Sequence, residues 1–592
     1  MPEYLAPGVY VEETSFRAKS IEGVGTSTTA FAGPTRKGPV SGGEEAPERP
    51  EMLTSFGDFE RLYGGLADLV LGGQPVTNYL AHAVLAYFNE GGSRLYVARV
   101  LVPSAEADDG GATVARIAVG DGADDESIAF VARFAGAAGN GVVSVIEVLS
   151  PAAARTMATA PPGTLLRTGE DDDIEHHLKV GDGWLPADDP DGDPADADTL
   201  AGATPRIVSL AVVTRDGDGN ELSWSDLGFD ARHPRWVGHV LAAAPSRRSD
   251  HLQNPFAIAI GADVDALGLR GELFDGAAAN AQGQQQRNWV LAGGSDGTVP
   301  SASDYTHALW ELAGLDDVAI VAAPGSSDYG DDDNARGIMG ALITHAHLRR
   351  SYRIAVLDTP PEQTPGQVRA LRGQVDSTYA AMYYPWVVVP NPNARPGRED
   401  IPREIALPPS GYVAGIYARN DIQRGVHKAP ANEVVRSALR FEVDVNFAQQ
   451  ELLNPLGVNC LRLLAGRGYR VWGARLISSD PEWKYVSDRR YFNYLEASID
   501  RGTQWAVFEP NGERLWANVR QTISDFLYNE WRSGALLGTT TEEAFFVRCD
   551  RSTMTQNDLD NGRLICLIGV AIIKPAEFVI FRIGQKTADQ RA

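Results

Sequence analysis

Residues 293–297 read GGSDG, the G-x-S-x-G spacing that in hydrolases lifts a serine onto a sharp strand-to-helix turn. The candidate nucleophile is Ser295. An elbow of this kind needs a helix directly after the serine, yet Thr298, Val299 and Pro300 intervene and no helix can start before Ser301. A glycine-rich surface loop is the better reading. GVGTST at 23–28 lacks the third glycine of a dinucleotide fingerprint, and no Gly-Lys dipeptide occurs, which excludes a standard P-loop. Two acidic runs, DPDGDPADAD from Asp189 and DGDGNE from Asp216, look calcium-like. A calcium loop of the EF-hand type needs Gly at its sixth position and Glu at its twelfth. The first run offers Pro194 and Leu200 there, the second Glu221 and Leu227. His176–His177 and the His345/His347 pair lack further ligands at zinc spacing. These residues assemble no catalytic, metal or cofactor constellation, and no cofactor is expected.

The bulk properties narrow the classes further. The chain has 592 residues, too many for one core, and a formal net charge of −25. A nucleic-acid partner would call for the opposite sign. The cysteines Cys460, Cys549 and Cys566 show no CxxC spacing and build no disulfide framework, which suits a reducing compartment. The first twenty residues carry Glu3, Glu12, Glu13 and Arg17 and no apolar core of a signal peptide. No apolar run is long enough for a membrane helix. Synthesis in the cytoplasm, without export by the general pathway and without membrane insertion, is expected.

The elements follow an α/β rhythm with an interruption. SFGDFERLYGG predicts a short helix capped by Ser55 or Asp58, and NYLAHAVLAYFNEGG an amphipathic helix stopped by Gly91 and Gly92. The strand SRLYVARV follows. Composition then shifts: residues 105–200 hold 20 Asp and Glu against 5 Lys and Arg. This region, with strands in DDESIAFVARF and NGVVSVIEVLS, reads as an inserted β-rich acidic domain over 104–254. The helix–strand alternation resumes at residue 255 and gives a mostly parallel sheet, with YYPWVVVP as its last strand before 392. An irregular stretch runs from Pro392 to about Leu453. Beyond it, CLRLLAGRGYRVWGARL predicts a hairpin, and the helix over 514–531 carries Leu515, Val519, Ile523, Phe526, Leu527 and Trp531 on one face. Both ends of the chain read as lone strands: Gly8, Val9, Tyr10, Val11, Glu12 and Glu13 at one, and Phe578, Val579, Ile580, Phe581, Arg582 and Ile583 at the other. Neither has a hairpin partner nearby, although a strand's backbone groups need one.

Taken together, PGVYVEE, SFGDFERLYGG, LAYFNEGGSRLYVARV, LAGGSDG, LNPLGVNCLRLLAGRGYRVWGARL, WKYVSDRRYFNYLEASI, FEPNGERLWANVRQTISDFLYNEWRSGALLG and KPAEFVIFRI resemble, in this order, the tail sheath proteins of contractile phages and phage-tail-like injection systems. The resemblance covers roughly residues 1–103 and 290–585. It implies a mixed α/β fold in five parts: an arm and linker over 1–50, a mostly parallel α/β domain over 51–103 plus 255–392, the outward-facing acidic insertion, a C-terminal α/β core over 393–573, and a C-terminal arm and tail over 574–592. It implies a structural, non-enzymatic subunit that stacks as hexameric rings around an inner tube and contracts to drive the tube through an envelope. The implied partners are other copies of the chain, the inner tube protein, and baseplate and terminator or cap proteins. The implied location is a phage tail or a tail-like particle. The two terminal strands would pair with sheets in neighbouring subunits, with Lys574 and Pro575 as the hinge and residues 14–38 as a flexible link. The readings that compete are a serine hydrolase using Ser295 and a calcium-dependent surface-binding module on residues 105–250.

Overall fold

The computed structural model describes residues 20–40, 50–104, 110–120, 127–170, 173–189, 192–397 and 399–582. Its centre is a nine-stranded sheet. Six strands run parallel, in the order Leu95–Arg99, Thr29–Gly33, Ile320–Ala322, Ile354–Asp358, Ala380–Tyr384 and Val458–Leu464. Met52–Leu53 closes one edge antiparallel, and the hairpin strand Gly468–Val471 with Glu433–Val434 closes the other. Parallel strands need both faces covered, which is why these segments are almost continuously apolar. Phe31, Val97, Ile320, Val356 and Tyr383 face one helical layer, built from Phe56–Tyr63, Tyr79–Glu90 and Pro409–Arg424. Ala32, Val321, Leu357, Met382 and Cys460 face the other, built from Ala302–Leu312 and Asp332–Ala346.

The helix punctuation follows the sequence. Ser55 caps Phe56–Tyr63 through the Asp58 N–H, and Gly91 ends Tyr79–Glu90 with a positive φ. Four segments differ from expectation. Residues 29–33, read as part of an arm and linker, form a central strand, and the chain around them is buried from Thr28 to Arg36. Their sequence TAFAG is too short and too small-sided to signal a strand. The segment YYPWVVVP is two strands in two sheets, Ala380–Tyr384 in the parallel sheet and Val387–Pro390 in a three-stranded antiparallel one, with Pro385, which has no N–H to give a ladder, between them. The stretch expected to be irregular to Leu453 contains the helix Pro409–Arg424. Gly411 and Gly415 obscured it, and they are there for contact. A Cβ at Gly411 would stand 2.7 Å from Cα and Cβ of Ala83, and one at Gly415 would stand 2.6 Å from the Tyr87 carbonyl oxygen. The two glycines let this helix lie directly on Tyr79–Glu90, and Arg419 then reaches the buried Glu90 carboxylate at 2.6 Å.

The fourth difference lies at the edge of the acidic region. An eight-stranded sheet includes Val142–Pro151, Arg206–Arg215 and also Gln285–Val290, while Phe256–Ile260 pairs antiparallel with Ile128–Ala132. Strands beyond residue 254 are therefore built into the β-rich body. Its own core holds Phe130, Val145, Leu210, Phe256 and Trp289. Charge and buried hydrogen bonds fasten this body to the parallel sheet. Lys37 pairs with Asp216 at 2.7 Å and Arg36 with Asp218 at 2.5 Å. Arg99, fully buried, donates to the carbonyls of Thr35, Gly38 and Ala135.

The C-terminal body packs the helices Val486–Gly502 and Glu513–Arg532 against a small antiparallel sheet, Phe545–Arg548 with Leu567–Val570. Leu515, Val519, Ile523, Phe526 and Leu527 are buried together with Tyr491 and Leu495, and Trp531 packs at the margin.

Candidate assembly surface

The groups singled out for catalysis or metal binding are occupied structurally. Ser295 bridges to Thr113 in an antiparallel contact, and its Oγ accepts the Gly297 N–H; the next helix begins at Ala302. The neighbouring Asp296 accepts the N–H groups of Val70 and Ala137 at 2.9 and 2.7 Å and so ties the parallel domain to the β-rich body. Asp216 and Asp218, the calcium-like residues, neutralise Lys37 and Arg36. His345 is buried beside Arg353, whereas His347 stacks on Tyr379. Among the described residues no group of three or more His, Cys, Asp or Glu could hold a metal ion.

A different site emerges where the chain enters and leaves the C-terminal body. At the entry, residues 21–26 lie along the helix Val486–Gly502. Ile21 is buried in the C-terminal core, Gly23 sits so close to Tyr494 that a Cβ would strike its hydroxyl, and the Val24 N–H donates to Ser498 Oγ at 3.1 Å. The Thr26 hydroxyl donates to Asp421 at 2.6 Å, and its carbonyl accepts from Arg490. Arg490 and Asp421 form a buried ion pair at 2.6 Å, with the guanidinium over the Tyr417 ring. A buried pair of this kind depends on such additional hydrogen bonds to offset its desolvation. Residues 20–38, expected to be a flexible link, are thus packed chain.

At the exit, Glu577 is held by four side chains. Arg475 donates to both its oxygens at 2.8 and 2.6 Å, Asn454 donates at 2.9 Å, Tyr485 at 3.0 Å, and Lys484 lies at 3.7 Å. Burial pushes the Glu577 carboxyl up, but the bonds from Arg475 and Asn454 outweigh it and hold the group below its ordinary value. Lys574 and Pro575 lie in irregular chain between Ile572, which bridges to Leu536, and this fastened carboxylate. Beyond it, Phe578, Val579, Ile580 and Phe581 are 68% to 82% exposed. Apolar side chains in a row this exposed make the segment a candidate for interaction. Residues 578–582 form no strand with any described part of the chain. Residues 8–13 and Ile583 lie outside the described residues.

The small sheet Phe545–Arg548/Leu567–Val570 completes the site. It has two strands only among the described residues, so each has an outer edge with unused backbone donors and acceptors. Phe545, Val547 and Val570 pack into the C-terminal core. Phe546 and Leu567, on the opposite face, are about half exposed, and the Phe546 ring covers Gly569. Two strands alone are marginal in water.

Residues 298–475 match the family model of the phage tail sheath protein central domain, and residues 478–586 match that of the phage tail sheath C-terminal domain. The chain belongs to the phage tail sheath family. The second match takes in the helix Glu513–Arg532, the open sheet and Glu577. Within this sheath family, a prophage major tail sheath protein of Pseudomonas aeruginosa is 26% identical over 182 residues, 30% of this chain and 45% of that one. The aligned stretch spans less than half the length of the curated sheath proteins it matches. Two solved sheath structures share the fold. The helical sheath of the anti-feeding prophage in its contracted state is 20% identical, with a TM-score of 0.53 over 99% of this chain and 100% of that one. The PVC sheath of an extracellular contractile injection system, also contracted, is 20% identical, with a TM-score of 0.52 over the whole of both chains.

The sequence marked residues 8–13 and 578–583 of this sheath chain as candidate linking strands but carried no sign of the clamp that fastens Glu577. Arg475 and Glu577 are far apart in sequence, and nothing local links them. The acceptor candidate was more accessible: FFVR and LIGV are each apolar and β-rich, next to a helix of strong amphipathic pattern.

Proposed function

We propose that this protein is the contractile sheath subunit of a phage tail or tail-like injection particle, linked to its neighbours by exchanged strands. The observation that carries the reading is the open two-stranded sheet beside two fastened chain exits. An edge strand with free N–H and C=O groups accepts an added strand, and segments 8–13 and 578–583 have the composition to supply one each. Each added backbone hydrogen bond contributes about 1 kcal/mol net, so a single link is modest and a mesh of many is strong.

The chain stacks as hexameric rings around an inner tube, with baseplate and terminator or cap proteins at the two ends. The bodies repack while the arm links persist, and contraction drives the tube through a target envelope. No motif for nucleotide hydrolysis is present in the sequence, so the work comes from a metastable assembled state that relaxes by body-to-body repacking. The role is structural, and the β-rich acidic body faces outward, where its charge stays hydrated. No described helix is long and apolar enough to cross a membrane. The subunit is made in the bacterial cytoplasm and works within the particle.

Electron microscopy of the purified chain and of a variant lacking residues 1–14 tests this. Tubes with an axial repeat are expected from the full chain, and folded, soluble, unpolymerised protein from the variant. Compact particles from the full chain under all conditions, or normal contractile tubes from the variant, would overturn it.

A further inference from the structure

The small sheet places two of the three cysteines face to face. Phe545 lies opposite Val570 and Arg548 opposite Leu567. One further step along the same register sets Cys549 against Cys566. The kind of pair follows from the other end of the ladder. The Ala571 N–H donates to the Ala544 carbonyl at 2.8 Å, which marks 544/571 as a hydrogen-bonded pair. Pair types alternate along an antiparallel ladder. The cysteine pair is therefore of the non-hydrogen-bonded kind, in which opposing Cα atoms are about 4.5 Å apart and side chains are closest. That spacing lies within the range of about 4.4–6.8 Å that a disulfide spans. The thiols are near enough that each perturbs the other's ionisation, and the Arg520 guanidinium, on the helix Glu513–Arg532, favours thiolate at both. Cys549 is buried and Cys566 partly open to solvent. Cys460 is buried in the parallel sheet.

We propose that Cys549 and Cys566 are a redox pair that closes into a cross-strand disulfide and staples the two-stranded sheet. The oxidant is a low-molecular-weight disulfide. Cys566, the accessible thiol, gives up its proton and attacks one sulfur of the oxidant. The oxidant's S–S bond breaks, a mixed disulfide forms, and one small thiolate leaves. The Cys549 thiolate then attacks the Cys566 sulfur, the mixed bond breaks, and the second small thiolate leaves. Two protein thiols are oxidised, one small disulfide is reduced, and the two protons end on the small thiols. Burial raises both thiols, that of Cys566 to about 12, so thiolate is scarce near neutral pH and closure is slow. The bond stays open in a reducing cytoplasm and closes after exposure to an oxidising medium. A link between this staple and arm docking rests on the reading of the sheet as acceptor; the bond itself does not.

The test uses the full chain. It is reduced, incubated with glutathione disulfide, alkylated to block remaining thiols, digested and mapped without reduction. The expected product is a peptide pair joined through Cys549 and Cys566, lighter by two hydrogens than the reduced pair, with Cys460 alkylated. Both cysteines alkylated after prolonged incubation, or a lasting glutathione adduct on Cys566, would overturn the proposal. Cys549→Ser is expected to trap that adduct at Cys566; an unmodified Cys566 in this variant would refute the order of attack. Amide exchange at Phe546 and Arg548 is expected to slow on oxidation by up to about a hundredfold, the effect of closing a loop of this size, and unchanged rates would refute the staple. None of these readouts needs polymerisation, so their failure is separate from any failure to form tubes.

Discussion

Ala in place of Gly415 sets two effects of opposite sign against each other. Gly415 lies inside the helix Pro409–Arg424, where replacing glycine by alanine ordinarily stabilises by about 0.5–1 kcal/mol through the unfolded chain. Here the new Cβ would stand 2.6 Å from the Tyr87 carbonyl oxygen and 2.7 Å from Glu90 Cβ. The first is backbone of an equally buried helix, so the helices must separate. Overpacking of this kind costs about 1–3 kcal/mol. One turn further on, Arg419 holds the buried Glu90 at 2.6 Å, and separation stretches that ion pair as well. The net expectation is a loss of about 1–2 kcal/mol. Gly340, inside Asp332–Ala346 with nothing within 4 Å of its Cβ position, is the control. Gly340→Ala is expected to gain about 0.5–1 kcal/mol. Urea unfolding of the two variants beside the parent measures both. A stabilised Gly415→Ala would refute the close helix contact as the reason for the glycine.

Phe526→Ala removes a buried ring of the C-terminal core and is expected to destabilise that body by about 3–5 kcal/mol; an unchanged melting temperature would show the site to be loosely packed. Tyr10→Pro deletes one N–H and is expected to weaken or abolish ordered tubes without lowering the melting temperature, as read by electron microscopy and calorimetry. Replacing residues 104–292 by a short Gly/Ser linker is expected to leave polymerisation intact, since Pro103 bridges to Ala112, the Gly293 carbonyl accepts from the adjacent Thr113, and the cut ends therefore lie close; a folded variant that cannot form tubes would refute a peripheral role for the acidic body. The folded Glu577 carboxyl titrates below its ordinary 4.5. Its hold on the exit is therefore complete above that value and lost as pH falls through the lower folded one. Protection of the amides over 574–577, taken relative to the intrinsic exchange rate at each pH, is expected to fall on acidification, and in Glu577→Gln at neutral pH, while the helix Val486–Gly502 stays protected.

What could be read from the sequence depended on how local the determinant was. Gly91 stops a helix with its own backbone, and Ser55 caps one three residues away, so both were legible. The helix Pro409–Arg424 was not, because its glycines answer to Ala83 and Tyr87, hundreds of residues distant. The strand Thr29–Gly33 was missed because burial between two parallel neighbours lets small residues serve where a lone strand would need larger ones. At the assembly surface the strand-like run Phe578 to Phe581 was visible, since a continuous β-branched and aromatic composition is a property of the segment itself. The clamp on Glu577 was invisible, since Arg475, Asn454 and Tyr485 converge only after folding.

The fastening of residues 21–26 to Val486–Gly502 has a mechanical corollary. Under the proposed linkage, tension arriving along an N-terminal arm passes Ile21 in the C-terminal core and then the Arg490–Asp421–Thr26 knot, which ties the helix Val486–Gly502 to Pro409–Arg424, and tension on the other arm enters through Glu577 beside the sheet strands Val458–Leu464 and Gly468–Val471, at Asn454 and Arg475. The load path is then short and runs along the seam between the C-terminal body and the parallel sheet. Pull applied along a docked strand loads its hydrogen bonds in parallel, as shear, rather than one at a time as a peel. The β-rich body, fastened by Lys37 and Arg36, hangs off this path as ballast. Its surface is free to diverge in sequence without weakening the chain that bears the force.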